Sequence, residues 1–283
     1  MWRFLHWKRW HYASIVGADV VAALAIVDLG WAGTGFAYLF DRRARSVLVD
    51  ASVLGLPGRA TRVANHVGPG AESTLDTGRN HLRIARDSDT WQVTIDVPGL
   101  RLDAELQPGP SSATICAIAR VQGGVANCTH KAHGLQVRGI ADVRGKPFDL
   151  NGSMAALDHT SGLLARSTAW RWPSATSADA SINLVEGFQE PLENALWRSG
   201  ELHALGAVQF ARDDHDPMAP WRVSAADGSV DLDFRPEGIR SQDKNLGFAV
   251  SRWVQPIGTY RGTVLGEDVG ELSGVIEDHV ARW

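Results

Sequence analysis

Short runs in which apolar and polar residues alternate recur along the whole chain. Examples are "SVLVDASV", "WQVTIDV", "LQVRGIADVRG", "GSVDLDFRP" and "GTYRGTVLG", and glycine, proline, aspartate or asparagine separates one run from the next. In the fourth run, Val230, Leu232 and Phe234 point to one face, while Asp231 and Asp233 point to the other. Alternation of this kind predicts half-buried β-strands, and no long amphipathic helix is indicated. We therefore predict an all-β fold with two antiparallel barrel or sandwich halves.

The first forty residues begin with basic side chains and continue with a long apolar stretch, as a signal peptide or a membrane helix would. Asp19 and Asp28 bound an uncharged run, 20–27, that is far shorter than the about 20 residues a spanning helix needs. We predict strands here, with turns near Gly30 and Asp41–Arg45. No transmembrane segment is expected.

One break in the alternation suggests how the chain is divided. The segment "RGKPFDLNGSM" interrupts the strand pattern near residues 145–155. We take it as a boundary and predict two β-barrel-like halves, 1–149 and 150–283. The polar, glycine-containing segment 65–90 predicts a long hairpin or a mobile loop.

Composition narrows the class of protein. Hydrophobic residues make up 44% and charged residues 21% of the 283 residues, which is typical of a globular chain with a core. The formal net charge of −4 provides no basic field for nucleic acid, so no nucleic-acid partner is expected. The 11 tryptophans supply large rigid rings that suit either a core or a ligand cavity.

Cysteine spacing and motifs argue against several classes of protein. Cys116 and Cys128 lack CxxC or zinc-ligand spacing, which favours unpaired thiols in the cytoplasm and leaves a disulfide open. The motifs GxGxxG, GxxxxGK[ST], HExxH and GxSxG do not occur. We therefore expect no metal site and no cofactor.

The segment "LDHTSGLLARSTAWRWPSATS" holds the first concentration of polar and aromatic residues. Asp158 and His159 are adjacent, so on a strand they face opposite sides. Trp170 and Trp172 share a face and Arg171 takes the other. The two indoles predict either the floor of an apolar pocket or a part of the core, and Asp158 is either a turn residue or an acid.

The segment "INLVEGFQEPLENALWRSGELHAL" holds the second concentration. Glu193 and Asn194 lead directly into apolar residues, so the carboxylate is expected to be partly buried. A buried carboxyl group is a candidate acid, because burial raises its pKa unless it has partners. The alternative is a structural hydrogen bond at the start of a strand. A hairpin turn is predicted at Ser199–Gly200.

The segment "GVIEDHVARW" holds the third concentration. On a strand, Glu277 and His279 share one face and Asp278 takes the other. A carboxylate beside an imidazole can fix its tautomer and raise its pKa. The alternative is an exposed ion pair that contributes little to stability.

Together these motifs resemble a bacterial family catalogued as domain of unknown function 2804. The resemblance covers nearly the whole chain and rests on motifs in a fixed order: "LDxTxGxxxRxTxWxW", "NLVEGF", "ENALW…GELH", "PWRV…DGSVDLDFRP" and "GVIEDHVARW". It implies a lipocalin-like fold with two barrel-like halves and an apolar ligand cavity. Distant relatives of that family include carotenoid hydratases, tocopherol cyclases and Diels–Alderases. The chain departs from the family pattern at His159 and Arg171, where the family commonly has an aromatic residue and an asparagine.

The resemblance marks positions and assigns no roles, because the family has no settled activity. We predict a catalytic function for Asp158, Glu193 and His279. We predict substrate binding by Lys131, Trp170, Arg171, Trp172, Asn183 and Asn194. The resemblance also predicts that residues 274–283 form a strand of the second barrel, with His279 facing inward and hydrogen-bonded to a carboxylate.

The leading hypothesis for function is an enzyme that acts on an apolar small molecule of isoprenoid or polyketide type. A Trp-lined cavity would exclude water, and acid–base catalysis would drive hydration or cyclisation. A non-catalytic carrier of hydrophobic ligands is the first alternative. A carbohydrate-binding or glycan-active protein is the second, because tryptophan also stacks on sugars. The oligomeric state stays open.

Overall fold

The computed structural model describes residues 2–109 and 113–283, which group into two compact units, Met1–Ala165 (unit 1) and Arg166–Trp283 (unit 2). Both units consist almost entirely of antiparallel strands. Unit 1 is a nearly closed, barrel-like sheet, and unit 2 is a half-barrel sheet. The predicted all-β fold in two halves is therefore confirmed.

Unit 1 contains one short helix and thirteen strands among its described residues. They are α1 (Trp2–His6), β1 (Trp7–Val16), β2 (Val20–Asp28), β3 (Gly33–Asp41), β4 (Ser46–Gly55), β5 (Thr61–Arg62), β6 (Glu72–Asp76), β7 (His81–Asp87), β8 (Thr90–Val97), β9 (Leu100–Gln107), β10 (Thr114–Arg120), β11 (Ala126–Val143), β12 (Lys146–Asp149) and β13 (Met154–Leu163). The sheet order is β4-β3-β2-β1-β13-β11-β9-β8-β7-β6-β5, and β10 and β12 pair with β11. The predicted strands over the first forty residues are confirmed from Trp7 onward, whereas Trp2–His6 forms a short helix in place of the predicted strand. A hairpin within 65–90 is confirmed as β6 and β7.

The core of unit 1 lies on the inner face of the barrel-like sheet. Ile15, Leu24, Leu102 and Leu157 are members of this core, and they come from strands far apart in the sequence. Gly35 in β3 allows a close approach inside the barrel. A Cβ at this position would come within 2.9 Å of the Leu75 side chain and 2.7 Å of the Ala25 carbonyl oxygen.

Unit 2 has ten strands among its described residues. They are β14 (Ser167–Thr176), β15 (Ala180–Asn183), β16 (Ala195–Arg198), β17 (Glu201–Ala204), β18 (Gln209–Ala211), β19 (Trp221–Ser224), β20 (Val230–Asn245), β21 (Val250–Val264), β22 (Glu267–Asp268) and β23 (Leu272–Arg282). The sheet order is β17-β16-β15-β14-β23-β21-β20-β19-β18, and β22 pairs with β21. The predicted strand over 274–283 is confirmed as β23, which lies between β14 and β21 and not at an edge.

The core of unit 2 follows the predicted alternation. Val230, Leu232 and Phe234 of β20 belong to it, and so does Ile276 of β23. Because side chains alternate along a strand, Ile276 places the neighbouring Glu277 on the opposite face of the sheet. The two faces of β23 therefore differ: Ile276 packs in the apolar cluster, and the other face combines buried apolar residues with Glu277 and His279.

The predicted hairpin turn at Ser199–Gly200 connects β16 to β17. The break near residues 145–155, predicted as a boundary, contains β12 and the turn between β12 and β13. The Cα clustering divides the chain after Ala165. As a statement about separate domains, the predicted boundary at 149/150 stays a prediction.

Two further observations concern chemistry and membranes. Cys116 and Cys128 are free thiols, and burial, together with the proximity of Cys116, raises the pKa of Cys128.

Within the described ranges, none of the helices has the length and apolar character needed to cross a membrane.

Candidate functional site

Three neighbouring strands of unit 2 bring polar and aromatic residues together on one sheet face. In the register of β14, β23 and β21, Trp170 lies opposite His279, and His279 lies opposite Trp253. Trp172 lies opposite Glu277 on the same face. This face is the one turned away from the unit 2 core.

Glu277 is the centre of this group. Trp170 Nε1 donates to Glu277 Oε1 at 2.9 Å, and Gln255 Nε2 donates to Glu277 Oε2 at 2.8 Å. Arg240 Nη1 in turn donates to Gln255 Oε1 at 3.0 Å. We call Glu277, His279, Trp170, Gln255, Arg240 and Ser251 the Glu277 cluster.

The surroundings of Glu277 favour its ionised form. Burial by itself would raise the pKa of this carboxyl group. The hydrogen bonds from His279 and Trp170 and the positive charge of Arg240 outweigh burial, so the pKa lies below its ordinary value. Glu277 is therefore a carboxylate at neutral pH and acts as an acceptor.

His279 lies between this carboxylate and a hydroxyl group. Its Nδ1 is 3.3 Å from Glu277 Oε1, and its Nε2 is 3.1 Å from Ser251 Oγ. An ionised carboxylate only accepts, so we assign the hydrogen to Nδ1, which leaves Nε2 as the acceptor for Ser251. The imidazole also packs on Trp170, with ring centroids 4.2 Å apart.

His279 has the hydrogen-bonded carboxylate partner that the prediction gave it, and its side chain is only 13% exposed. It lies on the sheet face opposite to Ile276, and buried residues such as Val275 and Ala281 share its face. The orientation of His279 into the second barrel stays a prediction. Neither face of this strand is purely apolar in sequence, so periodicity could not decide which face packs inward.

Trp172 belongs to a second group on the same strand. Its Nε1 donates to Asn183 Oδ1 at 2.8 Å, and Asn183 Nδ2 donates to the backbone carbonyl of Glu193 at 2.8 Å. Asn194 accepts from the Val185 amide through its Oδ1 at 2.7 Å. These amides are hydrogen-bonded within the fold, so they hold the segment 184–194 against the end of β15.

Arg171 faces away from both tryptophans. It contacts Asp278 at 3.2 Å and Glu186 at 3.0 Å. Burial alone would lower the pKa of this guanidinium, but the two carboxylates outweigh it and raise the pKa above its ordinary value. The structure thus brings Trp170 and His279 together, and separately Trp172, Asn183, Glu193 and Asn194, while Arg171 joins neither group.

The other two predicted site residues form a pair in unit 1. Lys131 Nζ lies 2.8 Å from Asp158 Oδ2, and both side chains are buried. Trp10 Nε1 and Thr160 Oγ1 also donate to this carboxylate, at 3.3 and 3.4 Å. Asp158 is thus one half of a buried ion pair and not an isolated carboxylic acid.

Sequence reasoning missed a row of three histidines in unit 1. The register of β1, β13 and β11 places His11 opposite His159 and His159 opposite His130, on the inner face of the sheet. The rings of His11 and His159 meet edge to face, with centroids 5.2 Å apart. His11 Nδ1 is 3.0 Å from Ser73 Oγ, and His159 Nε2 is 2.8 Å from the Ala64 carbonyl oxygen. We call these residues the histidine row.

The histidine row is uncharged at neutral pH. Burial is the largest effect on all three pKa values, and it lowers the pKa of His130 to about 4. Burial also lowers the pKa values of His11 and His159, with a further contribution from the neighbouring histidine in the case of His11. No sequence signal could have grouped these residues, because they are adjacent only through the pairing of distant strands.

One simple kind of site finds no support in the described parts of the chain. No three or more histidine, cysteine, aspartate or glutamate side chains in residues 2–109 and 113–283 are arranged to hold a metal ion. A gap in the unit 1 core, lined by Ala13, Ile15, Leu24, Val93 and Leu102 among others, is too narrow to admit water.

Comparison with known proteins supports the fold. The model of a protein family described as "Domain of unknown function (DUF2804)" matches residues 2–283. No curated protein matches the sequence. Solved structures with the same fold include a protein from Nitrosomonas europaea that is provisionally described as AttH. It has a TM-score of 0.67 and 16% identity, over 99% of this chain and 93% of that one.

Two further structures are similar. Kievitone hydratase from Nectria haematococca has a TM-score of 0.63 and 13% identity, over 97% of this chain and 88% of that one. CghA has a TM-score of 0.60 and 11% identity, over 98% and 88%. At these identities the similarity establishes the fold and leaves the activity open.

Proposed function

The chain belongs to the DUF2804 family, and from this premise and the Glu277 cluster we propose that it transforms an apolar small molecule by acid–base catalysis. Hydration or cyclisation of an unsaturated, isoprenoid- or polyketide-like compound is the reaction class. The fold is shared with a hydratase, kievitone hydratase, which supports this class without identifying the substrate.

The observation that carries the proposal is the order of three groups, Ser251, His279 and Glu277. A carboxylate that accepts from Nδ1 fixes the tautomer of an imidazole and stabilises its protonated form. The opposite nitrogen, Nε2, is then the atom at which a proton is gained or lost. Since the three side chains are already in hydrogen-bond order, little rearrangement is needed to move a proton along them.

The proposed hydration has a simple proton balance. Protonated His279 donates the proton at Nε2 to one alkene carbon, and Glu277 stabilises the imidazolium until that step. Water adds to the other alkene carbon and returns a proton to His279, directly or through the Ser251 hydroxyl. Because a positive charge develops on the substrate between these steps, the face of the Trp170 indole would stabilise it.

A carrier function is the second candidate, because the cluster is internally satisfied. Both carboxylate oxygens of Glu277 accept hydrogen bonds, and both ring nitrogens of His279 have partners. A site that only holds a ligand needs no group released for chemistry. In this case the cluster would form one rigid polar wall of a binding site.

The remaining predicted residues keep their proposed roles as predictions. The Lys131–Asp158 pair is a second possible acid–base group, in unit 1. Glu193 is buried beside Asn183 and Asn194, and it is a further candidate for the catalytic acid. Carbohydrate binding also stays a prediction.

The test uses water labelled with heavy oxygen and a panel of unsaturated isoprenoids and polyketides. We expect a product that has gained one labelled water, detected by mass spectrometry. His279→Gln should reduce turnover about 100-fold or more, as expected for loss of a general acid–base group.

The matched control is His203→Gln. His203 is also a histidine of unit 2 and also lies near a glutamate, with Nε2 3.7 Å from Glu201 Oε2, but its side chain is 38% exposed, against 13% for His279. This variant should keep full turnover. If no compound is converted while one of them co-purifies or binds, the carrier function replaces the catalytic one.

A further inference from the structure

Trp283 has a buried hydrogen-bond donor with no acceptor. The residue is 8% exposed, and its ring stacks beside Trp170 with centroids 6.4 Å apart and ring planes 21° apart. Its backbone N–H donates to the Arg166 carbonyl oxygen at 2.9 Å, which fixes the chain at this point. Across the described residues, the Nε1 of Trp283 has no hydrogen-bond partner.

Three other indoles of unit 2 have acceptors for this group. Trp170 donates to Glu277, Trp172 to Asn183, and Trp221 to the Pro217 carbonyl oxygen. Buried polar groups are normally hydrogen-bonded, because an unsatisfied donor is destabilising. Of two stacked indoles, Trp170 therefore has its donor committed to the fold, and Trp283 does not.

We propose that the Nε1–H of Trp283 is the donor for a neutral carbonyl oxygen of the ligand. This inference rests on the proposed function and narrows it, because the ligand must then carry an acceptor oxygen and is not a pure hydrocarbon.

The nearby charges favour a neutral acceptor over an anion. The carboxylate of Glu277 lies on Trp170, the ring that stacks with Trp283, and the guanidinium of Arg240 is connected to Glu277 through Gln255. While His279 is uncharged, the charges of Glu277 and Arg240 offset each other, so these two residues offer no excess positive charge for a carboxylate or a phosphate. A ketone or a similar neutral group accepts one hydrogen bond without adding charge to a buried site.

Reaching the donor requires a local rearrangement. The Nε1 atom is closed to solvent, so a ligand approaches it only when neighbouring side chains shift. Association that depends on such a change is slower than ordinary docking. The ordered ring of Trp170 would remain as the apolar surface on which the ligand rests.

The test compares two probes of the same shape, benzophenone and diphenylmethane, which differ by one carbonyl oxygen. We expect the protein to bind benzophenone about 5–10-fold more tightly, which corresponds to one hydrogen bond. Replacing Trp283 with benzothienylalanine exchanges the N–H for sulfur and keeps the ring. This variant should bind both probes equally, with unchanged affinity for diphenylmethane and an unchanged or higher melting temperature.

The control places benzothienylalanine at Trp221, whose N–H is bonded to the Pro217 carbonyl oxygen. This protein should melt at a lower temperature and keep its preference for benzophenone. The proposal is overturned if the Trp283 variant retains the preference. Photo-crosslinking of benzophenone distinguishes failure of this inference from failure of the proposed function. If benzophenone labels residues near Trp170 but loss of the Trp283 N–H does not change its affinity, only this inference is rejected. Absence of binding or labelling at the cluster rejects the proposed site as well.

Discussion

Buried histidines occur in both units, and their partners decide what they can do. In unit 1, His11, His130 and His159 lie side by side without a hydrogen-bonded carboxylate, and burial holds all three uncharged. In unit 2, His279 contacts the ionised Glu277. The first arrangement loses stability when it gains a proton, whereas in the second an ionised carboxylate is the hydrogen-bond partner of the imidazole. Burial alone therefore does not identify a functional histidine.

The largest expected effect comes from removing the strand that carries the Glu277 cluster. Deleting residues 272–283 separates β14 from β21, because β23 pairs with both. The deletion exposes two strand edges and apolar surface, which promotes aggregation. We expect the deletion variant to be insoluble. The measurement is the fraction of this variant that is soluble after expression. A soluble deletion variant with an unchanged melting temperature would show that unit 2 does not depend on β23.

The next effect concerns the carboxylate that distinguishes the two regions. Glu277→Gln places an amide where Trp170, Gln255 and His279 all require an acceptor. We expect the free energy of unfolding to fall by about 2–4 kcal/mol, as for loss of hydrogen bonds to a buried charge. Urea unfolding of the variant and the parent measures this difference in the free energy of unfolding.

The control for that variant is Glu271→Gln, which removes an exposed ion pair with Arg261. Such pairs contribute about 0–1 kcal/mol, so this protein should remain nearly as stable as the parent. Equal losses for the two variants would mean that the Glu277 network does not stabilise the fold more than a surface pair does.

The two regions should lose stability at different pH values when the pH is lowered. The folded pKa of His130, about 4, lies below its ordinary value of 6.5, so the unfolded state binds more protons between these values. Its stabilising effect is complete above pH 6.5 and is lost as the pH falls towards 4, by up to about 3 kcal/mol. His11 and His159 add to the loss in the same direction.

Glu277 titrates in a lower range. Its folded pKa is depressed below 4.5, so its contribution is present above 4.5 and is lost only as the pH falls further. Hydrogen exchange measured peptide by peptide should therefore show loss of protection in β1 and β13 at a higher pH than in β14 and β23. Simultaneous loss in all four strands would contradict this separation.

The smallest effect concerns a single atom of the histidine row. His11 Nε2 is buried and, in the part of the chain that the structure describes, has no hydrogen-bond partner. His11→Phe removes this group and keeps a flat ring beside Trp91. We expect a change of about 1 kcal/mol or less at pH 7 and a weaker loss of stability at pH 5. If the pH dependence of stability is the same in this variant and in the parent, protonation of His11 does not contribute to the loss of stability in acid.

Local patterns in the sequence predicted most of the strands. The alternation of Val230, Leu232 and Phe234 indicated β20, and Ser199–Gly200 indicated a hairpin, because both depend on neighbouring residues. The strand containing Glu277 and His279 was predicted from the family resemblance. Periodicity did not decide which of its faces packs inward, because Ile276 and Val275 make both faces partly apolar.

The sites depended on strand register, which a single sequence does not contain. Lys131 and Asp158 were both singled out, but their 2.8 Å contact follows from the pairing of β11 with β13. Ser251 and Gln255 were missed because they meet Glu277 and His279 only through the pairing of β21 with β23. The same-face spacing of Glu277 and His279 was the one local signal for this cluster.

In each unit the first and the last strand along the chain lie side by side in the sheet, β1 with β13 and β14 with β23. The contact between His11 and His159 and the contact between Trp170 and His279 cross these two seams. Pairing strands so distant in sequence requires closing a long loop, which slows folding relative to the formation of hairpins. During refolding, a chain could therefore have most of its strands and still have no assembled cluster. During refolding, ligand binding would then be recovered only when β14 pairs with β23. Its recovery would therefore be slower than that of the β-sheet signal.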